Sequence, residues 1–475
     1  MAARAIIGMG GYLPLLRLDR AAAAKALRFS GLGGRGAGYR GVASWDEDAL
    51  TLAVEAARLT GHSSAPDTIV FASTSAPFTE RSHATLLSEA LSVAPQCRTN
   101  DVAGSRRCGV SALLDALLGT GEAIVAAGEQ RAVKAGNPMH FSFGDGGAAA
   151  RVGDGTGAVL VGHASLAHDL IDIYASRERP EPYAYEERFV KDTATKAVIA
   201  PTIKAALAGA GVEPGDITHA AVHEPLAGMW RDIAKATGIT APNHASALAA
   251  AAGDLGAAHI LFALGLALDA ANIGDKILVA GFGSGCDALV LEVTGPVAGA
   301  ASAAAALKQG LAFADYVRFL SLTKAIDLDW GVRSEFEQKA QATVIERYGR
   351  DMIGFIGGRD SRGNVQFPKS PIPIHPDATG PEALEDVRMA DLTATLVSVT
   401  ADRLNFTPAP PFWFGLVQFE NGARVMMELT DADAEGFAVG APLTMRLRIK
   451  SHDKRRGFRT YFWKAAPAAR PAMEG

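Results

Sequence analysis

The chain has 475 residues, 48% of them hydrophobic and 20% charged, with a formal net charge of −5. That is more chain than one compact core uses, so two or three domains are expected. The negative balance, the scattered aromatics and the lack of a basic amphipathic stretch argue against nucleic acid and against a membrane surface as partners.

Ala5 to Leu13 reads as a first strand. Trp45 to Leu59 reads as a helix with Asp46, Glu47 and Asp48 at its start. Asp67 to Thr74 is a buried strand and Arg81 to Leu91 a helix. Thr99 to Gly119 reads as a strand end, a polar turn and a buried helix. The positive end of such a helix stabilises a thiolate or an oxyanion, yet the turn carries Arg106 and Arg107, with Cys108 two places late. Glu122 to Glu129 is a strand, and Phe143 to His163 holds two glycine-rich turns and two short strands.

The order then repeats. Thr193 to Ala210 is a helix, His219 to Glu224 a strand and Ala245 to Ala271 a second long buried helix. Lys276 to Ala280 leads into GFGSG, and Ala288 to Val293 closes. Residues 67–163 and 217–293 share one element order, which predicts two similar halves of one α/β domain. Thr294 to Ala305 is a Gly/Ala/Pro linker. Leu307 to Arg350 is helical apart from a break near Asp327 to Gly331. From Asp386 alternating strands follow, with a hairpin turn at Glu420-Asn421-Gly422, and five short strands predict a small barrel of the OB type.

Cys97, Cys108 and Cys286 form no CxxC pair, so neither a disulfide framework nor a zinc knuckle is signalled. Reduced thiols fit a cytoplasmic protein. No apolar run reaches the length of a signal peptide or a membrane span, since Gly253, Asp254 and Gly256 interrupt the longest.

The stretches DVAGSRRCGVSALLDAL, AVHEPLAGMW, TIVFASTSAPF and GDLGAAHILFALGLALDAANIGDKILVAGFGSG, with the paired halves, resemble the thiolase superfamily, in its hydroxymethylglutaryl-CoA synthase and ketoacyl synthase III branch. The resemblance covers about residues 1–295, with halves of about 1–165 and 166–295. It implies a five-layered αβαβα fold, a homodimer, acyl-CoA substrates and a Cys/His/Asn site between the halves. Residues 296–306 are then a linker. Residues 307–380 form a helical segment with a remnant of a zinc ribbon, and residues 381–470 an OB-fold domain, resembling the small zinc-ribbon and OB-fold protein that accompanies such enzymes. FIGGRDSRGNVQFPKS resembles the first ribbon arm, but Asp360 stands where the family has cysteine. With His375 as the only soft ligand, no zinc is predicted.

Counting from Asp101 and from Leu113, the family's nucleophilic cysteine falls on Arg106, which leaves Cys108 as packing. The family's general acid/base glutamate falls on Thr74, which cannot do proton transfer at neutral pH, so genuine synthase activity is not expected. His223 falls on the catalytic histidine, as a general base, an oxyanion donor or a structural residue. Asp254 falls on the asparagine that stabilises an enolate, and a buried Arg106–Asp254 ion pair filling the old pocket is expected. Gly281, Gly283, Ser284 and Gly285 match the glycine loop near the pantetheine arm. PPFWFGLV, at Pro410 to Val417, reads as an interface, a lid or a strand entry. His452 to Arg456 reads as a hairpin tip or a contact to CoA phosphates.

Three functions follow from these residues. The first is a cysteine-independent enzyme forming or cleaving a carbon–carbon bond of an acyl-CoA, with His223 as base and Arg106 on the oxyanion. The second is an inactive scaffold or acyl-CoA-binding subunit beside a thiolase-type partner. The third is an ordinary acyltransferase using Cys108. None needs a permanently bound cofactor.

Overall fold

The computed structural model describes residues 4–31, 37–61, 65–331 and 342–473. Among them, nine strands form one mixed sheet in the order Ile217–Val222, Lys276–Phe282, Gly285–Val293, Ala158–Ala167, Arg4–Tyr12, Gly146–Asp154, Ala123–Glu129, Thr68–Ala72 and Arg98–Val102. The two halves meet where Arg4–Tyr12 pairs with Ala158–Ala167 at only two positions, Ala5 with Val159 and Ile6 with Ala158. Ala158–Ala167 pairs along its length with Gly285–Val293, so the second half begins near residue 158, earlier than the expected 166.

Period-two alternation sorts the side chains into layers. Val70, Ala72, Val125 and Ala127 face inward, onto the helices Cys108–Leu118 and His259–Ala270. Their neighbours Ile69, Phe71, Ile124 and Ala126 face outward, onto Ala49–Arg58 and His83–Ala90. In the second half Ile277, Val279, Leu289 and Leu291 join the same inner core. Leu278, Ala280, Ala288 and Val290 instead meet the helices Ala200–Ala210 and Trp230–Thr237. The result is helix, sheet, helix pair, sheet, helix: the five layers expected.

Three elements differ from the sequence reading. The stretch 245–271 is two helices, His244–Ala252 and His259–Ala270. Gly253 has φ +93° and Gly256 φ +54°, and Asp254 lies in an isolated bridge with Phe143, so the helix cannot run through. The linker contains a helix, Ala301–Lys308. Ala303 is 1% exposed and sits so close to Gly11 that a Cβ there would lie 2.8 Å from it, so small residues serve close packing where they suggested slack. The segment predicted helical from Leu307 has a strand, Leu311–Phe313, parallel to Leu16–Leu18, then the helices Tyr316–Leu322 and Ala342–Gly354. Part of that expectation, residues 332–341, lies outside the described residues.

Ile356–Arg359 pairs with both Val365–Gln366 and Glu385–Arg388, so the ribbon-like sheet runs past residue 380. The C-terminal sheet has the order Arg424–Glu428, Phe412–Phe419, Ala394–Asp402, Pro442–Asp453 and Phe458–Pro467. It closes through a bridge of Leu429 to Ala465, as an OB-type barrel requires. Its core is continuous with the outer face of the first half. No helix among the described residues is long and apolar enough to cross a membrane.

Candidate active site

Arg106 lies in the turn between Arg98–Val102 and Cys108–Leu118. That helix approaches the segment after Asp254 so closely that a Cβ on Gly109 would lie 2.2 Å from the Ala257 carbonyl oxygen. The close approach brings the Arg106 turn opposite Asp254. Arg106 Nη1 donates to Asp254 Oδ2 at 2.7 Å, and its Nη2 donates to Asp172. The Arg106 side chain is 8% exposed. Burial works against its charge, but Asp172 and Asp254 outweigh that and hold its pKa above the ordinary value.

Asp254 is the hub. Its Oδ1 accepts from the Gly256 N–H at 2.8 Å, and Arg131 Nη2 lies 3.6 Å from the same oxygen. Burial alone would raise its pKa, yet Arg131 and Arg106 hold it well below the usual carboxylate range. The sequence pair Arg106–Asp254 therefore forms, inside a larger cluster.

His223 follows the strand Ile217–Val222 and is 4% exposed. Its Nε2 is 3.9 Å from Asp254 Oδ2, too long for a hydrogen bond, and its Nδ1 is buried without a partner. His259 is different. Its Nε2 donates to the Ala245 carbonyl at 3.1 Å and its Nδ1 accepts from the Leu255 N–H. Burial lowers its pKa to about 4, so it is a neutral, structural imidazole.

Cys108 opens its helix and is 3% exposed. Burial, then the nearby Glu129, pushes its thiol pKa up to about 12. A thiol in that state is a poor nucleophile, which weighs against the acyltransferase reading. Arg107 faces the other half, 3.5 Å from Asp287.

The glycine loop is mostly strand. Gly281 ends in the strand Lys276–Phe282, and Gly285 begins Gly285–Val293. A Cβ on Gly281 would lie 2.8 Å from Val110, and one on Gly283 3.0 Å from Ser105. A Cβ on Gly285 would lie 2.3 Å from the Leu166 oxygen. Gly283 thus admits the turn that carries Arg106, Gly281 admits the helix after it, and Gly285 admits the neighbouring strand. Ser284 alone is exposed. In the barrel, Pro410, Pro411, Phe412 and Trp413 line a cavity of about 440 Å³ shared with Trp45 and Asp46, so PPFWFGLV lies at the seam between barrel and α/β domain.

In the ribbon-like segment, Asp360, His375 and Glu382 bring ligand atoms within 4.8 Å of one another, so His375 does not stand alone as the sequence implied. Asp360 already accepts from the N–H groups of Arg362 and Asn364, and Glu382 from Ser361. One imidazole and two carboxylates holding a turn do not reproduce the thiolate set of a structural zinc site.

Sequence reasoning missed Asp172, Arg131 and Glu129. Glu129 is wholly buried at the end of Ala123–Glu129, and a charged residue closing an apolar strand was the available signal. Asp172 lies in a polar stretch with no periodicity to mark it.

Residues 207–293 match the family model described as 3-oxoacyl-[acyl-carrier-protein] synthase III C terminal. Residues 386–448 match the ChsH2 C-terminal OB-fold domain. The hydroxymethylglutaryl-CoA synthase of Aeropyrum pernix is 28% identical over 351 residues, covering 70% of this chain and 94% of its own. That of Pyrococcus furiosus is 28% identical over 296 residues, covering 59% and 83%. A solved HMG-CoA synthase complexed with CoA aligns with TM-score 0.58 at 16% identity, over 71% of this chain and 95% of its own. The chain joins a thiolase-superfamily domain, similar to hydroxymethylglutaryl-CoA synthases and ketoacyl synthase III, to a C-terminal OB-fold domain.

Proposed function

We propose that the protein acts on a CoA thioester and forms or cleaves a carbon–carbon bond without an acyl-enzyme. The observation that carries this is Arg106 in the turn where the sequence count expects a nucleophile, facing the same Asp254 oxygen as His223, whose Nδ1 has no partner. In the cleavage direction His223 takes the proton of a β-hydroxyl, and the Cα–Cβ bond breaks as the carbonyl forms. The electron pair stays on the thioester as an enolate, which Arg106 stabilises as a planar cation, and a proton then returns to Cα. Arg106 must exchange its Asp172 contact for the enolate oxygen. The similarity to hydroxymethylglutaryl-CoA synthases supports the CoA thioester as substrate class. A homodimer through the thiolase-like domain, a thiolase-type partner and the cytoplasm, where three free thiols stay reduced, belong to the same proposal.

A second reading is a CoA-thioester-binding subunit without turnover. It is favoured by the two carboxylates that already engage Arg106 and leave it largely buried.

The test is to incubate the protein with acetyl-CoA, acetoacetyl-CoA and 3-hydroxy-3-methylglutaryl-CoA, recording intact mass and CoA products. No adduct with conversion of the last to acetyl-CoA and acetoacetate is expected. A stable adduct on Cys108 overturns the proposal. Bound thioester without turnover favours the second reading.

A further inference from the structure

We infer that Glu129 is a second proton-holding group of this site, beside His223, and that the hydroxyl of Thr74, an exposed residue, carries its proton to and from the bound thioester. This rests on the carbon–carbon chemistry proposed above.

The strands Thr68–Ala72 and Ala123–Glu129 run parallel, with Ala72 beside Ala127, so Thr74 and Glu129 leave the sheet side by side. Val125 and Ala127 face the inner helices, and two residues on, Glu129 points the same way. Its Oε1 accepts from the Ser73 hydroxyl at 2.9 Å and from the Thr74 N–H. Its Oε2 accepts from the Thr74 hydroxyl at 2.6 Å. Thr74 itself is exposed.

Room for the carboxyl is specific. A Cβ on Gly256 would lie 2.4 Å from Glu129 Oε2 and displace the carboxyl, its φ of +54° favours glycine, and Gly256 also donates to Asp254. The charged and titratable neighbours of Glu129 are Arg131, with Nε 3.5 Å from Oε2, and Cys108, whose thiol stays neutral. Burial raises the Glu129 pKa against the pull of Arg131 and the hydrogen bonds from Thr74 and Ser73, which keeps its protonated form within reach.

A threonine hydroxyl is too weak an acid and base to act alone. Paired with a carboxyl it becomes a relay. In the base direction a proton of the substrate α-carbon passes to Thr74 Oγ1 while the threonine proton passes to Glu129 Oε2. The substrate keeps the electron pair as enolate, and Glu129 ends neutral, while His223 keeps its role at the β-hydroxyl. In the acid direction both protons return. The carboxyl missing from position 74 is thus supplied by the adjacent strand.

The experiment compares the full-length protein with Glu129→Gln, Thr74→Val and Thr74→Ser. One readout is deuterium uptake at the α-carbon of acetyl-CoA in heavy water, as a function of pH. The other is the infrared carbonyl band of a protonated carboxylic acid. Relay predicts loss of exchange by about 100-fold in E129Q and T74V, with recovery in T74S. It also predicts a band lost in E129Q and shifted in T74V. Exchange retained in E129Q, or no band assignable to Glu129, overturns the inference. If the parent protein shows no exchange, the carbon–carbon proposal fails on its own, and the coupling of the band to Thr74 then decides the relay by its presence or absence.

Discussion

Arg106 shows how one residue can occupy a site at the cost of its neighbours. Its guanidinium answers two carboxylates that are both largely shielded from water. A charge in that setting is tolerated because its partners are present. Arg106→Ala leaves Asp172 and Asp254 facing each other with Arg131 as the remaining cation near Asp254. The expected loss is about 3–5 kcal/mol in urea denaturation, whereas a change below about 1 kcal/mol would mean the cluster hydrates freely. The Arg106–Asp254 contact was legible because both residues sit in motifs with countable anchors. Asp172 was not legible, because it is 66 positions from Arg106 on a segment with neither period nor motif, and tertiary folding alone brings it in.

Between elements, the break at Gly253 sets the geometry of the site. The composition of 245–271 favours an unbroken helix, and two positive-φ glycines override it. Gly253 combines φ +93° with a position where a Cβ would lie 2.5 Å from the Phe143 oxygen. Asp254 is held there by its N–H to Ser142 and by its carbonyl, which accepts from Gly144. Gly253→Ala therefore strains a backbone that L-residues avoid and pushes the bridge apart. Destabilisation of about 1–3 kcal/mol is expected from the conformation, with a further cost from the contact. Chemical denaturation measures the loss, and unchanged stability would mean that the chain relaxes into a continuous helix. The alternation of the buried strands was readable because period two survives any packing partner. The Gly/Ala texture of 301–308 was not, since alanine suits both slack chain and a tight helix contact.

The whole molecule is closed by charge as much as by apolar burial. Asp46, Glu47 and Asp48 read in the sequence as the acidic start of a helix, and Asp48 does cap it. Their larger role is to meet the barrel. Lys464 donates to Asp46 at 2.9 Å, Arg459 to Asp48 at 2.7 Å, and Arg448 lies 3.1 Å from Glu47. Asp431 completes the seam, 3.1 Å from Arg448 and 3.2 Å from Arg470, and Arg470 also donates to the Leu13 carbonyl. Burial would raise the Asp431 pKa, but Arg448 and Arg470 lower it from 3.8 to about 2. A carboxylate depressed in the folded state stabilises the fold above its ordinary pKa and loses that contribution as pH falls through the folded value. For Asp431 the window is about pH 4 down to about pH 2, and the depression corresponds to about 2–3 kcal/mol. Asp431→Asn should therefore weaken the protein by about that amount at pH 7 and flatten the fall in stability between pH 4 and pH 2. Glu47, whose pKa is raised first by burial, has the opposite sign and stays in both proteins. Urea midpoints of the two proteins across pH 2 to 7 measure the difference. Parallel curves would mean that the seam is hydrated and that the apolar core alone holds the barrel in place.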